Sequence, residues 1–238
     1  IGGLTPKATE LARDLYSTFC TAELLLTDAT TAEMAKLTEN SFRDVNIAFA
    51  NELSLIADRL DIDVWELIEL ANHHPRVNIL QPGPGVGGHC IAVDPWFIVS
   101  SVPEEARIIR AAREINDGKP DWVLEQVEAA LGDKSHGVVA ALGIAFKRDI
   151  DDLRESPSLD IVKQLGSRNS NLDIRVVEPN VAELPASLKE LENVKKESLV
   201  EAISAAGVVL LLVDHTEFAS IDRKLLEGKT VIDTRGLW

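Results

Sequence analysis

Four apolar runs near the end of the chain constrain its fold more than any other feature: Gly137–Ile144 (GVVAALGI), Asp173–Val177 (DIRVV), Gly207–Val213 (GVVLLLV) and Thr230–Asp233 (TVID). Each is too short for a buried helix, rich in β-branched residues and bounded by turn residues, which predicts strands. Helical patterns separate them, over Pro157–Leu165 and Ser198–Ala205, and another precedes them over Trp122–Leu131. Ser156 before Pro157 predicts a capped helix with proline in its first turn. Strands without polar alternation, joined by helices, imply a parallel sheet covered on both faces. The expectation for 119–238 is therefore a doubly wound α/β domain.

The preceding stretch, 29–118, reads as mainly helical. Thr30 and Glu33 have capping-box spacing, and Met34, Leu37, Val45, Phe49, Leu53, Ile56 and Leu60 recur at helical steps, which predicts one long helix to about Leu60. A second helix is expected over Val64–Asn72. A glycine- and proline-rich loop, 81–88, follows it. A third is expected over Pro103–Ile115, ending at Asn116-Asp117-Gly118. In 1–28, Pro6 opens a helix over Lys7–Phe19 and Ala22–Thr27 reads as a short buried strand. One helix and one strand cannot cover each other, so Leu24, Leu25 and Leu26 would need a neighbouring sheet. The chain starts at Ile1 and its single Met is Met34, so a piece of a longer protein is the expectation.

The net charge is −15, from 24 Lys+Arg against 39 Asp+Glu, which disfavours nucleic acid and anionic membrane as partners. Anionic small molecules remain open through a few placed cations. Cys20 and Cys90 form neither a disulfide framework nor a metal-type pair, which suits a reducing, cytoplasmic setting. No apolar run approaches membrane-spanning length. His73, His74, His89, His136 and His215 lack zinc spacing, and no metal is expected.

Three groups of residues could carry chemistry. Lys36 and Asn40, at i and i+4, share one helix face, and Asp44 and Asn51 extend that polar row. A solvated helix face is the plain reading of all four. The loop Gln81-Pro-Gly-Pro-Gly-Val-Gly-Gly88 leads into His89-Cys90 and then Asp94-Pro95-Trp96. Its glycines would let backbone approach a ligand closely. There the Cys90 thiolate could attack an aldehyde or acyl carbon, with Asp94 holding a water or acting as base. The ordinary alternative for a free cysteine is a small buried hydrophobe, which is the reading for Cys20. Gly83, Gly85 and Gly88 also fit G-x-G-x-x-G, but Pro82 and Pro84 interrupt the fit and Pro95 blocks the long helix a dinucleotide fingerprint requires. The third group leaves the end of the first strand: Phe146, Lys147 and Arg154 before a helix N-terminus, a place suited to phosphate or simply a charge-balanced surface loop.

Together these segments resemble the UDP-glucose/GDP-mannose dehydrogenase family. The resemblance rests on Thr31 to Asn40, Asn51-Glu52, Arg76, the loop to Cys90 and Asp94, and Ala145 to Pro157, and it runs from Ile1 to Arg235. The wording from His74 to Trp96 is similar to the branch acting on UDP-N-acetyl-D-mannosamine. The resemblance implies a helical central dimerisation domain at 29–118 and a Rossmann-like, UDP-sugar-binding domain at 119–238. Residues 1–28 would be the last helix and strand of a preceding NAD-binding domain. It implies two NAD-dependent oxidations of a sugar C6 alcohol to a carboxylate, for surface polysaccharide synthesis, with Cys90 as nucleophile. Lys36 and Asn40 would stabilise an oxyanion and Asp94 would hold a water. Arg76, Gly85, Gly87, Gly88, Phe146, Lys147 and Arg154 would bind substrate. Arg154 and Arg235 would touch the cofactor, and the helix from Thr31 would build a homodimer. Ala92-Val93 stands where many relatives carry Pro-Lys, which leaves the role of that lysine unfilled. A chain holding only these parts is expected to be inactive alone. Two other readings stay open: a non-catalytic, dimerising UDP-sugar-binding module, and a different cysteine enzyme using His89.

Overall fold

The computed structural model describes residues 1–132 and 137–238; His136 lies outside them. At the start, β1 (Gly2–Gly3) pairs in parallel with β2 (Thr27–Asp28) across α1 (Pro6–Tyr16). The strand expected over Ala22–Thr27 is thus confined to its last residue and Asp28. Leu25 and Leu26 are exposed, because two paired residues offer no surface to cover them.

The long helix α2 (Ala29–Leu60) is present, but its cap is Asp28 rather than the Thr30–Glu33 box. Asp28 accepts from the Thr31 N–H at 2.9 Å and from its hydroxyl at 2.7 Å, a side-chain cap one step earlier in the chain. A short acceptor placed in extended backbone next to β2 reaches the free N–H groups first. α3 (Val64–Asn72) follows, capped by Asp63. A further helix, α4 (Asp94–Ser101), starts immediately after the cysteine. Pro95 fits its first turn, where no N–H is needed, so it begins a short helix instead of preventing one.

The expected end at Asn116-Asp117-Gly118 is overturned. One helix, α5 (Arg107–Leu131), runs through Gly118 and Pro120. An internal proline costs about 3 kcal/mol, and packing on both sides offsets it. N-terminal to the proline, Arg113, Asn116 and Lys119 meet Asp44, Asn51 and Ser54 of α2 in a buried seam. C-terminal to it, Val123, Leu124 and Val127 enter the core of the sheet. The boundary read at 118/119 therefore falls inside one helix.

That seam reverses the plain reading of α2. Asn40, Asp44 and Asn51 are buried, whereas Met34, Phe42, Phe49, Ile56 and Leu60 of the apolar stripe are exposed.

The sheet has β3 (Val138–Leu142), β4 (Asp173–Val177), β5 (Val194–Lys196), β6 (Val208–Leu211) and β7 (Thr230–Asp233), all parallel, in the order β5-β4-β3-β6-β7. α6 (Pro157–Arg168) joins α5 on one face, packing Ile161, Val162 and Leu165 on Val139, Ala141 and Leu210. α8 (Leu199–Ala205) covers the other with Ala202 and Ile203 against Ala140, Leu142, Val209 and Leu211. Alternate strand residues thus serve opposite layers. α7 (Ala186–Lys189) and α9 (Thr216–Ala219) are single turns. The chain reverses direction across the sheet between β3 and β6, so the crevice at their carboxyl ends is where an open α/β sheet takes ligands.

Candidate active site

Cys90 closes the glycine-rich loop. Its carbonyl accepts from the N–H of Val93 at 3.1 Å and of Asp94 at 2.8 Å, one turn that delivers Asp94 to the start of α4. The thiol is exposed, unlike a buried structural cysteine. Asp94 Oδ2 accepts from Asn40 Nδ2 of α2 at 2.5 Å. Lys36 stands one turn earlier on α2 and is exposed. Carboxamide and carboxylate are therefore in contact, with the thiol one backbone turn from the carboxylate and the amine one helical turn from the carboxamide.

The glycines lie where any side chain would collide. A Cβ on Gly87 would fall 2.5 Å from the Glu155 carbonyl oxygen and 3.0 Å from Phe146 Cβ; one on Gly83 would fall 2.6 Å from Arg235 Nη1. Gly88 has φ +87° and would meet the Phe146 ring at 3.1 Å, so this position needs glycine for both conformation and space. The loop is pinned at Gly83, whose N–H donates to Asn51 Oδ1 at 2.9 Å. It joins the helices to the crevice and brings Gly87 and Gly88 to Phe146, and Gly83 to Arg235.

The cations are distributed less simply. Lys147 is exposed. Arg154 is clamped on Asp152, with Nη2 to Oδ2 at 2.6 Å, and that hydrogen bond holds the Asp152 carboxyl down at about 2; a phosphate would have to share this guanidinium. Arg235 Nε donates to Asp214 at 3.0 Å. Arg76 is exposed on the turn after α3, away from these groups in sequence and on the surface.

Two buried networks support the site without being legible beforehand. In the α2–α5 seam, Asp44 accepts from Arg113 at 2.6 Å and from Asn116 at 2.8 Å, and Asn51 donates to Asn116 at 2.8 Å. Burial pushes the Asp44 carboxyl above its ordinary range, and Arg113 and Asn116 recover only part of that. Beside it Lys119 Nζ donates to Ser54 Oγ at 2.7 Å and lies 3.4 Å over the Trp122 ring. Burial lowers Lys119 to about 7; it lines a cavity of about 420 Å³ with Asp58, Trp65 and Thr234.

The second network lies under the crevice. Glu178, immediately after β4, accepts from the N–H groups of Ile144 at 2.8 Å and Ala145 at 3.1 Å, and contacts His215 Nε2 at 3.1 Å. Burial alone would raise this carboxyl; the bonds from His215, Ile144 and Asn180 outweigh it and hold it below the usual range.

A dinucleotide does not fit these residues. Gly88–Val93 is a turn leading into an eight-residue helix, not the long helix whose N-terminus receives a pyrophosphate. The N–H groups at the end of β3 are taken by Glu178. Among the described residues, no three His, Cys, Asp or Glu side chains are placed to hold a metal, and no helix is long and apolar enough to cross a membrane.

Comparison with known proteins follows the same segments. Residues 30–118 match the central domain, and residues 140–238 the UDP binding domain, of the UDP-glucose/GDP-mannose dehydrogenase family. Over its whole length the chain is 56% identical to an NDP-N-acetyl-D-galactosaminuronic acid dehydrogenase of Ralstonia nicotianae, covering 55% of that protein. It is 54% identical to a UDP-N-acetyl-D-mannosamine dehydrogenase of Salmonella typhi, covering all of this chain and 58% of the relative. The solved structure of the UDP-D-ManNAc dehydrogenase of Pyrococcus horikoshii superposes with a TM-score of 0.85 at 38% identity, over 100% of this chain and 56% of that one. The chain thus spans a little over half the length of these relatives.

Proposed function

Because this chain belongs to the UDP-glucose/GDP-mannose dehydrogenase family, we propose that it carries the thiol, the oxyanion groups and the nucleotide-sugar half-site of an enzyme that oxidises C6 of a UDP-N-acetylhexosamine to the uronate. The contact of Asn40 with Asp94, one turn from the exposed Cys90, carries this reading. UDP-N-acetyl-D-mannosamine is the proposed substrate, with surface polysaccharide as the destination of its product. The relative named for N-acetylgalactosaminuronic acid makes the galactosamine epimer the second reading.

Each residue then has a definable task. Once C6 is an aldehyde, the Cys90 thiolate adds to it, and the carbonyl π electrons move to oxygen to give a thiohemiacetal oxyanion. Lys36 and the Asn40 carboxamide would stabilise that oxyanion, which costs least when the donors are already oriented. Loss of hydride from C6 leaves a thioester, so the second oxidation stays on the protein. Water adds at that carbon and the thiol departs; Asp94, oriented by Asn40, accepts the proton of the water. NAD, where the enzyme binds it, supplies the hydride acceptor, and the described residues do not build its site. Phe146, Lys147 and Arg154, with the backbone of Gly85, Gly87 and Gly88, would hold the uridine diphosphate. Arg235 stands against the loop on the same side, and Arg76 is free to serve a neighbouring subunit. The exposed stripe of α2 is proposed as the homodimer face. A burial of exposed phenylalanines by a second copy would remove a large apolar patch from water.

Calorimetric titration of the chain with UDP-N-acetylmannosamine, paired with alkylation of Cys90, tests the reading. Saturating nucleotide sugar should slow alkylation several-fold. Unaltered alkylation at saturation would remove the thiol from the sugar C6, and the binding-only reading would then hold. Given NAD as well, this chain alone is expected to form no NADH.

A further inference from the structure

The short arch Phe146-Lys147-Arg148 is held at both ends by one buried pair. At its entry the N–H groups of Ile144 and Ala145 donate to Glu178 Oε2, at 2.8 and 3.1 Å. At its exit the N–H of Asp149 donates to His215 Nδ1 at 2.9 Å. An Nδ1 that accepts leaves the ring proton on Nε2, and Nε2 faces the same Glu178 oxygen at 3.1 Å. Glu178 and His215 are 1% and 0% exposed. Asp149 adds an outer tie, accepting from the Thr216 N–H at 2.8 Å and its hydroxyl at 2.5 Å; it takes φ +56°, a conformation that needs such support in a non-glycine residue.

The position of Glu178 makes this more than a structural contact. An acidic residue ending the second strand of a doubly wound sheet faces the ribose in dinucleotide-binding folds. Here its carboxylate turns inward and occupies the two N–H groups at the carboxyl end of β3 that would otherwise meet a phosphate. The domain has no free glycine-loop cradle there, and the exposed Lys147 and the Phe146 ring project from the arch instead.

We propose that Glu178 and His215 are a positioning pair: they touch no substrate, and they set the Phe146–Arg148 arch in the shape that receives the nucleotide. This deepens the proposed function and rests on it.

The test is a double-mutant cycle on the purified chain, read by UDP calorimetry, with amide hydrogen exchange alongside. Glu178→Gln puts an amide NH2 among donors and should weaken UDP about tenfold, the scale of one charge-assisted hydrogen bond. Lys147→Ala should weaken it similarly. The double variant should be little worse than Lys147→Ala, because Glu178 acts only through the arch. Additive losses, or a Glu178→Gln protein that binds UDP normally, would overturn the proposal. Exchange at Ile144, Ala145 and Asp149 should rise at least tenfold in Glu178→Gln while Val139–Leu142 keep their protection. His215→Phe, a ring of similar size without the acceptor, should release Asp149 alone, and serves if Glu178→Gln does not fold. If the unaltered chain takes no UDP, the proposed function fails; unchanged exchange in both variants then separately defeats the clamp.

Discussion

Replacing Lys119 by methionine should alter how stability depends on pH between 7 and 10, with little effect above that range. Lys119 is 2% exposed and its ammonium is lowered from 10.5 to about 7, mainly by burial. The folded state therefore releases this proton far more readily than the unfolded chain does. Above about pH 10.5 both states are neutral and the group imposes no penalty. As pH falls from there to 7 the unfolded chain takes up a proton that the folded one refuses, so stability drops by roughly 1.4 kcal/mol per pH unit. Below 7 both are charged and the penalty is complete. Over the 3.5 units between 10.5 and 7 it amounts to about 5 kcal/mol. Methionine keeps most of the stem without the charge. The lost bond to Ser54 orphans little, since the Ser54 hydroxyl also donates to the Asn51 carbonyl at 2.6 Å. Urea unfolding, followed by tryptophan fluorescence at pH 7, 8, 9 and 10, should show the variant gaining on the unaltered protein steadily as pH falls. Comparing the two cancels every other titrating group. A stability difference that stays constant over this range would refute the reasoning.

The α2–α5 seam makes a second prediction: Arg113→Leu strands Asp44 in a fully buried site and should cost about 3–5 kcal/mol, whereas adding Asp44→Leu should restore most of it; thermal denaturation of the three proteins decides. Gly87→Ala drives a methyl to 2.5 Å from the Glu155 carbonyl, so the loop must shift and UDP affinity should fall about tenfold, equivalent to roughly 1.4 kcal/mol; unchanged calorimetric affinity would contradict the packing. Phe49→Glu alters a half-exposed residue of the α2 stripe and should halve the mass seen by light scattering without lowering the unfolding midpoint. A chain that is already monomeric, or a variant that still dimerises, removes α2 as the homodimer face.

The parts of the fold legible in the sequence are those whose signal is local. β3, β4, β6 and β7 announce themselves because strands covered on both faces are continuously apolar. β5 does not, since a three-residue edge strand with Lys195 and Lys196 looks like a turn. α5 reads as two helices because Asn-Asp-Gly-Lys-Pro is locally a stop, and only its seam with α2 carries it through. The polar row of α2 looks solvated for the same reason: its partner is equally polar, and nothing within α2 reveals that Arg113 lies opposite Asp44. The candidate chemistry was partly legible. Cys90, Asn40 and Asp94 stand out by type and setting. Glu178 and His215 do not, because Glu178-Pro-Asn is an ordinary turn and their meeting depends on strand order.

The glycine-rich loop and α5 impose one consequence on any reaction here. The loop is pinned to α2 through Asn51, to the sheet through Phe146 and Arg235, and against α5 through Gly85, whose Cβ would lie 3.4 Å from Pro120. α5 itself is anchored in both the seam and the sheet core. A rotation between the helical and sheet portions would therefore have to bend α5 or tear the loop from one of its supports. The proline supplies the weakest point of that helix, lacking one backbone hydrogen bond, yet the Lys119 and Asn116 bonds flank it on the N-terminal side and Val123 and Leu124 on the other. The distance between Cys90 and the crevice is thereby set by rigid packing. For a mechanism that needs a thiol held at one carbon while the nucleotide is gripped elsewhere, this arrangement means that loosening the seam should degrade sugar placement before it degrades nucleotide binding.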